Sequence, residues 1–160
     1  RLGVAPEPTA PADDHSGQGP LIRVVGRAIS DYFLRSAQVL IPVGGSLPTS
    51  SVLVEIVLAN TKDMNDAALD AWVGSGGRSG QPVSVVEVAR RFFLSKETAR
   101  RHVHLLEERG LVVRVRRGLL AIASGEEQVR LREIAQTNMA DTRRFFATLD
   151  RAGVLAEWAA

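Results

Sequence analysis

Apolar residues recur every three or four positions along much of this chain, which is the spacing of helices that bury one face. From Leu21 to Leu40 they include Val25, Ile29 and Phe33, while charged residues take the other face. The pattern predicts a helix over residues 21–40. Pro42 and the two glycines after it are expected to end it.

A second apolar segment, residues 52–58, also predicts a helix, with hydroxyl residues 49–51 as its possible N-caps. Its β-branched content permits a strand as well. After a break near residues 60–63 the helical pattern continues through Leu69 and Trp72. We therefore expect an N-terminal helical region over residues 21–73.

Two short helices and a hairpin are predicted between residues 83 and 123. Ser84 can cap the first helix, with Glu87 three residues later as a capping box requires. Ser95 can cap the second helix, which spans about 96–109 and ends at Gly110. Apolar residues at 99, 103 and 106 then give this second helix one buried face.

The hairpin is predicted from alternation. Val113 and Val115 alternate with arginines, which is typical of a half-buried strand. A tight turn is expected at Arg117 and Gly118, because glycine accepts a positive φ, and residues 119–123 return as the second strand.

The last part of the chain predicts one long helix. Ser124 is its expected N-cap, Gly153 its C-terminal stop, and apolar residues recur from Val129 to Leu149. A helix of about 26 residues would be roughly 40 Å long. Residues 124–160 could simply cover the core of their own domain, but because this length exceeds what one small domain covers, we favour a dimerisation helix, with which residues 21–40 could pair.

Two segments are predicted to be irregular. Residues 1–20 contain four prolines among small and acidic residues and predict a disordered tail. Residues 74–82 contain four glycines and a closing proline and predict a flexible hinge. The expected fold class is mainly α with a small β-wing.

Charge concentrates where the short helices lie. The 160-residue chain carries a net charge of only +2, but residues 83–123 hold nine basic and four acidic residues, a net +5, which leaves −3 for the other 119. Such a cluster is the electrostatic footprint of a phosphate-binding surface, although basic clusters are also common on solvated faces.

Residues 83–123 resemble the winged helix-turn-helix core of bacterial transcriptional regulators. The most specific part is LSKETARRHVHLLEERGLV, beginning at Leu94. Helices before this core and a long helix after it make the layout similar to the MarR family. The chain departs from that pattern in its glycine-rich segment, its very short wing, and the Phe92-Phe93 pair where glycine is common.

The resemblance implies a homodimeric regulator that places helix 96–109 in the major groove of double-stranded DNA, where base edges are distinguishable. The wing arginines would contact the backbone or the minor groove. The DNA-binding residues expected on this basis are Ser95, Lys96, Glu97, Thr98, Arg100, Arg101, His104, Arg114, Arg116 and Arg117.

Two alternatives remain open. Winged helices also serve as protein-interaction adaptors that bind no specific DNA, since fold does not fix function. A small-molecule effector could bind between the N-terminal helices and the core, with Trp72, Tyr32 and Phe33 lining its pocket, although these residues are equally typical of a core.

The sequence lacks the residues that other classes of function require. There are no cysteines, and His102 and His104 lie two apart, so they cannot share a metal as residues four apart on a helix do. The GSGGRSG run beginning at Gly74 lacks the lysine of a P-loop. We expect no enzyme, metal or cofactor, no membrane span, and a cytoplasmic location.

Overall fold

The computed structural model describes residues 18–123 and 125–159. Residues 1–17 of the predicted tail, and Ser124 as a predicted N-cap, lie outside the described residues. The elements follow in the order α1 (Gln18–Gly44), α2 (Leu47–Thr61), α3 (Asp66–Gly74), α4 (Val85–Arg91), α5 (Lys96–Glu108), β1 (Val112–Val115), β2 (Gly118–Ala121), α6 (Gly125–Arg151) and α7 (Val154–Trp158). This confirms a mainly helical fold with a small wing between flanking helices.

The junction of the first two helices differs from the prediction. Helix α1 continues through Pro42 to Gly44, and Ser46 caps α2 by accepting a hydrogen bond from the Thr49 N–H at 3.3 Å. The predicted caps, residues 49–51, are instead the third to fifth residues of α2. There the Ser50 hydroxyl donates to the Leu40 carbonyl at 2.8 Å and fastens the two helices together.

Helix α2 is the central helix of the fold, and the strand that its β-branched residues permitted does not form. Val52, Leu53 and Ile56 are buried on one face, at spacings of one and three residues. The chain then turns at residues 62–65, and Asn65 caps the separate helix α3 by accepting from the Ala68 N–H at 2.9 Å.

The glycine-rich segment, for which a flexible hinge was predicted, forms a turn that packs against the end of the wing. Gly76 and Gly77 are buried and have positive φ angles of 67° and 86°. The Gly77 N–H donates to the Trp72 carbonyl at 2.9 Å, and the Ala123 N–H donates to the Gly76 carbonyl at 3.1 Å. Because a Cβ on Gly77 would collide with the Ala121 carbonyl, only glycine lets this turn approach the end of the wing.

The main core lies between α2, the helix-turn-helix and the hairpin. Its members come from each of these elements and from the segments that join them. They are Val43, Val52, Leu53, Ile56, Val83, Val88, Val103, Leu106, Leu111, Val112, Leu119 and Ala121. This core fixes the orientation of α5 and of the wing, since both contribute fully buried side chains to it.

A second, smaller core joins the two ends of the described chain. Helix α6 packs along α1, and Leu149 and Val154 are buried against Ala28. The Tyr32 hydroxyl and the Asn138 side-chain oxygen lie 3.0 Å apart, and the Tyr32 and Phe145 rings are in contact. Gly153, with a φ of 75°, ends α6 as predicted.

Among the described residues, no single helix is long and apolar enough to cross a membrane. The segments Leu21–Gly44 and Leu47–Thr61 pass that test only as a pair, bent by 89°.

Candidate nucleic-acid interface

The helix-turn-helix is built by two serine caps. Ser84 accepts from the Glu87 N–H at 3.1 Å at the start of α4, and Ser95 accepts from the Thr98 N–H at 3.0 Å at the start of α5. Each cap satisfies one of the free N–H groups that a helix start leaves. Both predicted caps are confirmed, and Gly110, with a φ of 69°, follows the end of α5 as expected.

One face of α5 is buried and the opposite face is exposed. Ala99, Val103 and Leu106 are buried as predicted, and His102 joins them. Thr98 is half-buried. The remaining predicted DNA-binding residues of this helix and its cap are exposed: Ser95, Lys96, Glu97, Arg100, Arg101 and His104. The exposed face has the width and residue types that a recognition helix needs.

The wing lies beside this face and forms one open depression with it. The depression has a volume of about 910 Å³ and is lined by Ser95, Glu97, Thr98, Arg100, Arg101, His104, Glu107 and Arg114. Arg114 reaches across from β1 to Glu107 of α5 through two hydrogen bonds of 3.2 and 3.3 Å. The structure therefore brings seven of the ten predicted residues together, while Lys96, Arg116 and Arg117 are exposed outside the depression.

The wing turn is shifted by one residue from its prediction. Strands β1 and β2 are antiparallel, with Val112 opposite Ala121 and Val115 opposite Gly118, so the turn consists of Arg116 and Arg117. Gly118 begins β2 with a φ of 144° and lies against the Val83 carbonyl. Both turn arginines consequently lie at the tip of the wing, exposed to solvent.

The burial of β1 also differs from the expected alternation. Val112 is buried, Val113 is exposed and Val115 is half-buried. Val113 and Val115 were expected to share the buried face. The short strand takes its register from the core contact of Val112, and four residues are too few for the alternation to identify the inner face.

Not every basic residue of the +5 segment faces solvent freely. The Arg91 guanidinium lies 2.8 Å from the Glu55 carboxylate of α2, which is largely buried, and 3.3 Å from Glu87. The Arg109 guanidinium donates to the Val43 carbonyl at 3.4 Å. These two arginines fasten the helix-turn-helix to α1 and α2, and the surface charge rests on the other seven basic residues.

Weak ion pairs hold several exposed side chains along α5. Arg100 lies 3.4 Å from Glu97, and His104 lies 3.4 Å from Glu108. Exposed pairs at such distances contribute about 0–1 kcal/mol, so they can open when a stronger anion is offered. Glu97 thereby orients Arg100 along the helix without sequestering it.

His102 lies on the buried face of α5, opposite the exposed residues of the site, and no role was predicted for it from the sequence. Its Nδ1 lies 3.0 Å from the Thr49 hydroxyl of α2. Burial lowers the pKa of His102, and the neighbouring charge of Arg101 lowers the pKa further. A neutral imidazole hydrogen-bonded to Thr49 therefore fixes α5 against α2. The sequence contained one sign of this role: His102 lies three residues after Ala99 and one before Val103, and therefore on the buried side of α5.

Asn60, at the end of α2, is the second residue that sequence reasoning missed. It is completely buried, and its amide nitrogen donates to the carbonyls of Gln81 and Leu119 at 2.6 and 3.1 Å. Its amide oxygen accepts from the Ala121 N–H at 2.8 Å. Asn60 therefore ties the wing to the central helix. Its place in a helix-terminating turn gave no sign of this role.

The proposed effector-pocket residues do not line one cavity. Trp72 borders an apolar cavity of about 290 Å³ between α2, α3, the wing and α6. Tyr32 instead packs on Phe145 of α6, and Phe33 is exposed on α1. A pocket shared by Trp72, Tyr32 and Phe33 was therefore a wrong expectation.

Two capped helices joined by a tight turn and followed by an antiparallel hairpin define a winged helix-turn-helix. Residues 73–119 match the family model described as "MarR family", which confirms the resemblance recognised in the sequence. That family implies a transcriptional regulator and is typically not enzymatic. Comparisons with curated proteins and with solved structures gave no significant match.

Proposed function

We propose that this protein is a sequence-specific, double-stranded DNA-binding transcriptional regulator that acts as a homodimer in the cytoplasm. The observation that carries the proposal is the depression between α5 and the wing. It is lined by Arg100, Arg101 and His104 of α5 and by Arg114 of the wing, with Glu97 and Glu107 among them. A groove-sized helix beside a basic wing suits the major groove and the flanking phosphates together.

The residues divide by the part of DNA that they would meet. Arg100 and Arg101 are exposed on the first half of α5, the part of a recognition helix that faces base edges, and either guanidinium can make a forked contact to guanine. Arg116 and Arg117, at the wing tip, suit the backbone or the minor groove. Lys96 adds a mobile charge at the start of α5.

The Ser95 and Thr98 hydroxyls lie 2.8 Å apart at the start of α5. The Ser95 hydroxyl oxygen already accepts a hydrogen bond from the Thr98 N–H, which holds that oxygen in place. We propose that both hydroxyls contact a phosphate, because a helix start favours an anion and phosphate contacts position a recognition helix without reading sequence. His104 and Glu97 would tune this surface through their pairs with neighbouring side chains.

Exposed apolar side chains on α1 and α6 support a homodimer. Ile22, Ile29 and Phe33 recur at spacings of seven and four residues along α1, and each is more than half exposed. Met139 and Phe146, seven residues apart on α6, are also more than half exposed. We propose that residues 21–40 and 129–149 form the interface, which would place two recognition helices about 34 Å apart on a palindromic site.

The principal experiment compares two double variants in a gel-shift assay on duplexes selected from a random pool. Removing Arg100 and Arg101 (R100A/R101A) should abolish specific binding and lower the salt slope by about one for each phosphate that is no longer neutralised. The matched control, R78A/R151A, removes two exposed arginines that lie outside α5 and outside the proposed dimer interface, and it should bind normally. Equal affinity and salt slope in R100A/R101A and the unmodified protein would contradict the proposal.

The adaptor alternative is separated by binding to random duplex at low salt. A DNA-binding protein retains non-specific affinity there, whereas an adaptor has none. The dimer is tested by light scattering. The unmodified chain should show twice its monomer mass, and F33E/F146E, which places charges on both exposed apolar faces, should show the monomer mass. A monomeric unmodified chain would contradict the dimer alone.

A further inference from the structure

Phe93, in the turn between α4 and α5, combines two unfavourable features. Its side chain is 97% exposed, the highest value among the large exposed apolar residues described. Its φ is 51°, and it is the one non-glycine residue with positive φ in the described chain. Because of each feature, glycine would be the more favourable residue at this position. A phenylalanine held in such a conformation at a binding surface therefore suggests a function.

The backbone around Phe93 explains why glycine would serve equally well for folding. The Phe93 N–H donates to the Arg90 carbonyl at 3.3 Å, and the Leu94 N–H donates to the Ala89 carbonyl at 2.9 Å. This pair of bonds is the Schellman motif that ends helices, and Phe93 occupies its left-handed position, where glycine is the usual residue. Leu94 makes the accompanying apolar contact with the core. The ring of Phe93 contributes nothing comparable.

The position of Phe93 indicates what its ring meets. It lies two residues before Ser95, the cap of the recognition helix, and the exposed basic residues Arg90 and Lys96 flank the turn on either side. Arg91 is directed elsewhere, toward Glu55 and Glu87. Positive charge on both sides of a projecting apolar ring suits a polyanion that also presents apolar surface, and DNA offers that surface in its deoxyribose rings and thymine methyl groups.

We propose that Phe93 is a DNA-contact residue that packs on a deoxyribose at the edge of the major groove, beside the phosphate held at the start of α5. The inference rests on the proposed function and extends its surface from α5 into the preceding turn. The contact fixes how far α5 enters the groove. It is apolar and therefore independent of the charged contacts made by the arginines.

The test uses F93G, which preserves the left-handed backbone and removes only the ring. F93N does the same with a polar side chain, and F93L keeps an apolar one. Affinity for a selected duplex is measured by fluorescence anisotropy over a salt series. F93G and F93N should bind about tenfold more weakly, with an unchanged salt slope because every phosphate stays neutralised. F93L should retain most of the affinity.

Thermal unfolding of the same proteins separates contact from folding. F93G should unfold at the same temperature as the unmodified protein or higher, since glycine relieves the backbone. Undiminished DNA affinity in F93G and F93N would overturn the inference, leave the proposed function standing and direct attention to a protein partner for the ring. Failure of the unmodified protein to bind any duplex would overturn both.

Discussion

Replacing Asn60 with alanine should strongly destabilise the fold. The side chain is completely buried and makes three hydrogen bonds, two as donor to the Gln81 and Leu119 carbonyls and one as acceptor from the Ala121 N–H. Alanine removes all three. The substitution therefore separates the wing from the central helix without touching the exposed face of α5.

The magnitude follows from what each partner of Asn60 retains. The Leu119 carbonyl keeps a second hydrogen bond, from the Val83 N–H at 3.1 Å, so the loss of its bond to Asn60 costs little free energy. The Ala121 N–H keeps no other protein partner among the hydrogen bonds of the described residues, and a buried orphan of this kind costs about 1–3 kcal/mol. With the Gln81 bond and the space left behind, we expect about 3–5 kcal/mol.

Urea unfolding followed by circular dichroism measures this loss. A domain of this kind has a total stability of about 5–15 kcal/mol, so N60A should shift the urea midpoint strongly and lower the melting temperature by about 10 °C. The matched control is N65A, the same substitution at the exposed cap of α3, which removes one bond to the Ala68 N–H. It should cost about 1 kcal/mol.

A loss in N60A no larger than the loss in N65A would refute the reasoning. It would mean that Asn60 does not connect the wing to α2, because three buried bonds cannot be removed at the cost of one exposed cap. A folded N60A protein should also bind DNA more weakly, since its wing is no longer fixed beside α5.

Three further predictions rest on single residues. Ser95→Ala should lower stability by about 1 kcal/mol in urea unfolding, because α5 loses its cap; an unchanged midpoint would contradict this. Stability should fall as the pH drops through about 6.5, because the lowered pKa of His102 leaves the unfolded chain binding more protons, and H102Q should reduce that fall; identical pH profiles of the two proteins would contradict it. Gly77→Ala should destabilise by at least about 1–3 kcal/mol because its Cβ meets the Ala121 carbonyl, whereas Gly26→Ala on α1, with open space around it, should stabilise by about 0.5–1 kcal/mol; the reverse order of melting temperatures would contradict this pair.

The parts of the fold that depend on neighbouring residues were predictable from the sequence. The Ser84 and Ser95 caps and the ends at Gly110 and Gly153 each involve groups within a few positions along the chain. Their side-chain chemistry acts locally, so a short window contains the whole interaction. The α2 cap was misplaced because three hydroxyl residues followed Pro48, whereas the proline lies inside the first turn of a helix capped by Ser46.

The parts that depend on distant residues were not predictable. His102 meets a residue 53 positions away, and Asn60 meets residues up to 61 positions away. The glycine turn resembles a linker by composition, yet its small residues serve close packing against the wing. Of the candidate interface, the exposed residues of α5 followed from helical spacing, but the shared depression with Arg114 required the hairpin register.

The pairing of α1 with α6 has a consequence during synthesis. Tyr32 and its hydrogen-bond partner Asn138 are separated by 106 residues. At about 5–20 residues per second, a ribosome needs roughly 5–20 s to make the intervening chain. During that interval the face of α1 that later covers Leu149 lacks the partner that α6 supplies among the described residues. The small core of Ala28, Leu149 and Val154 can therefore form only after α6 has been made.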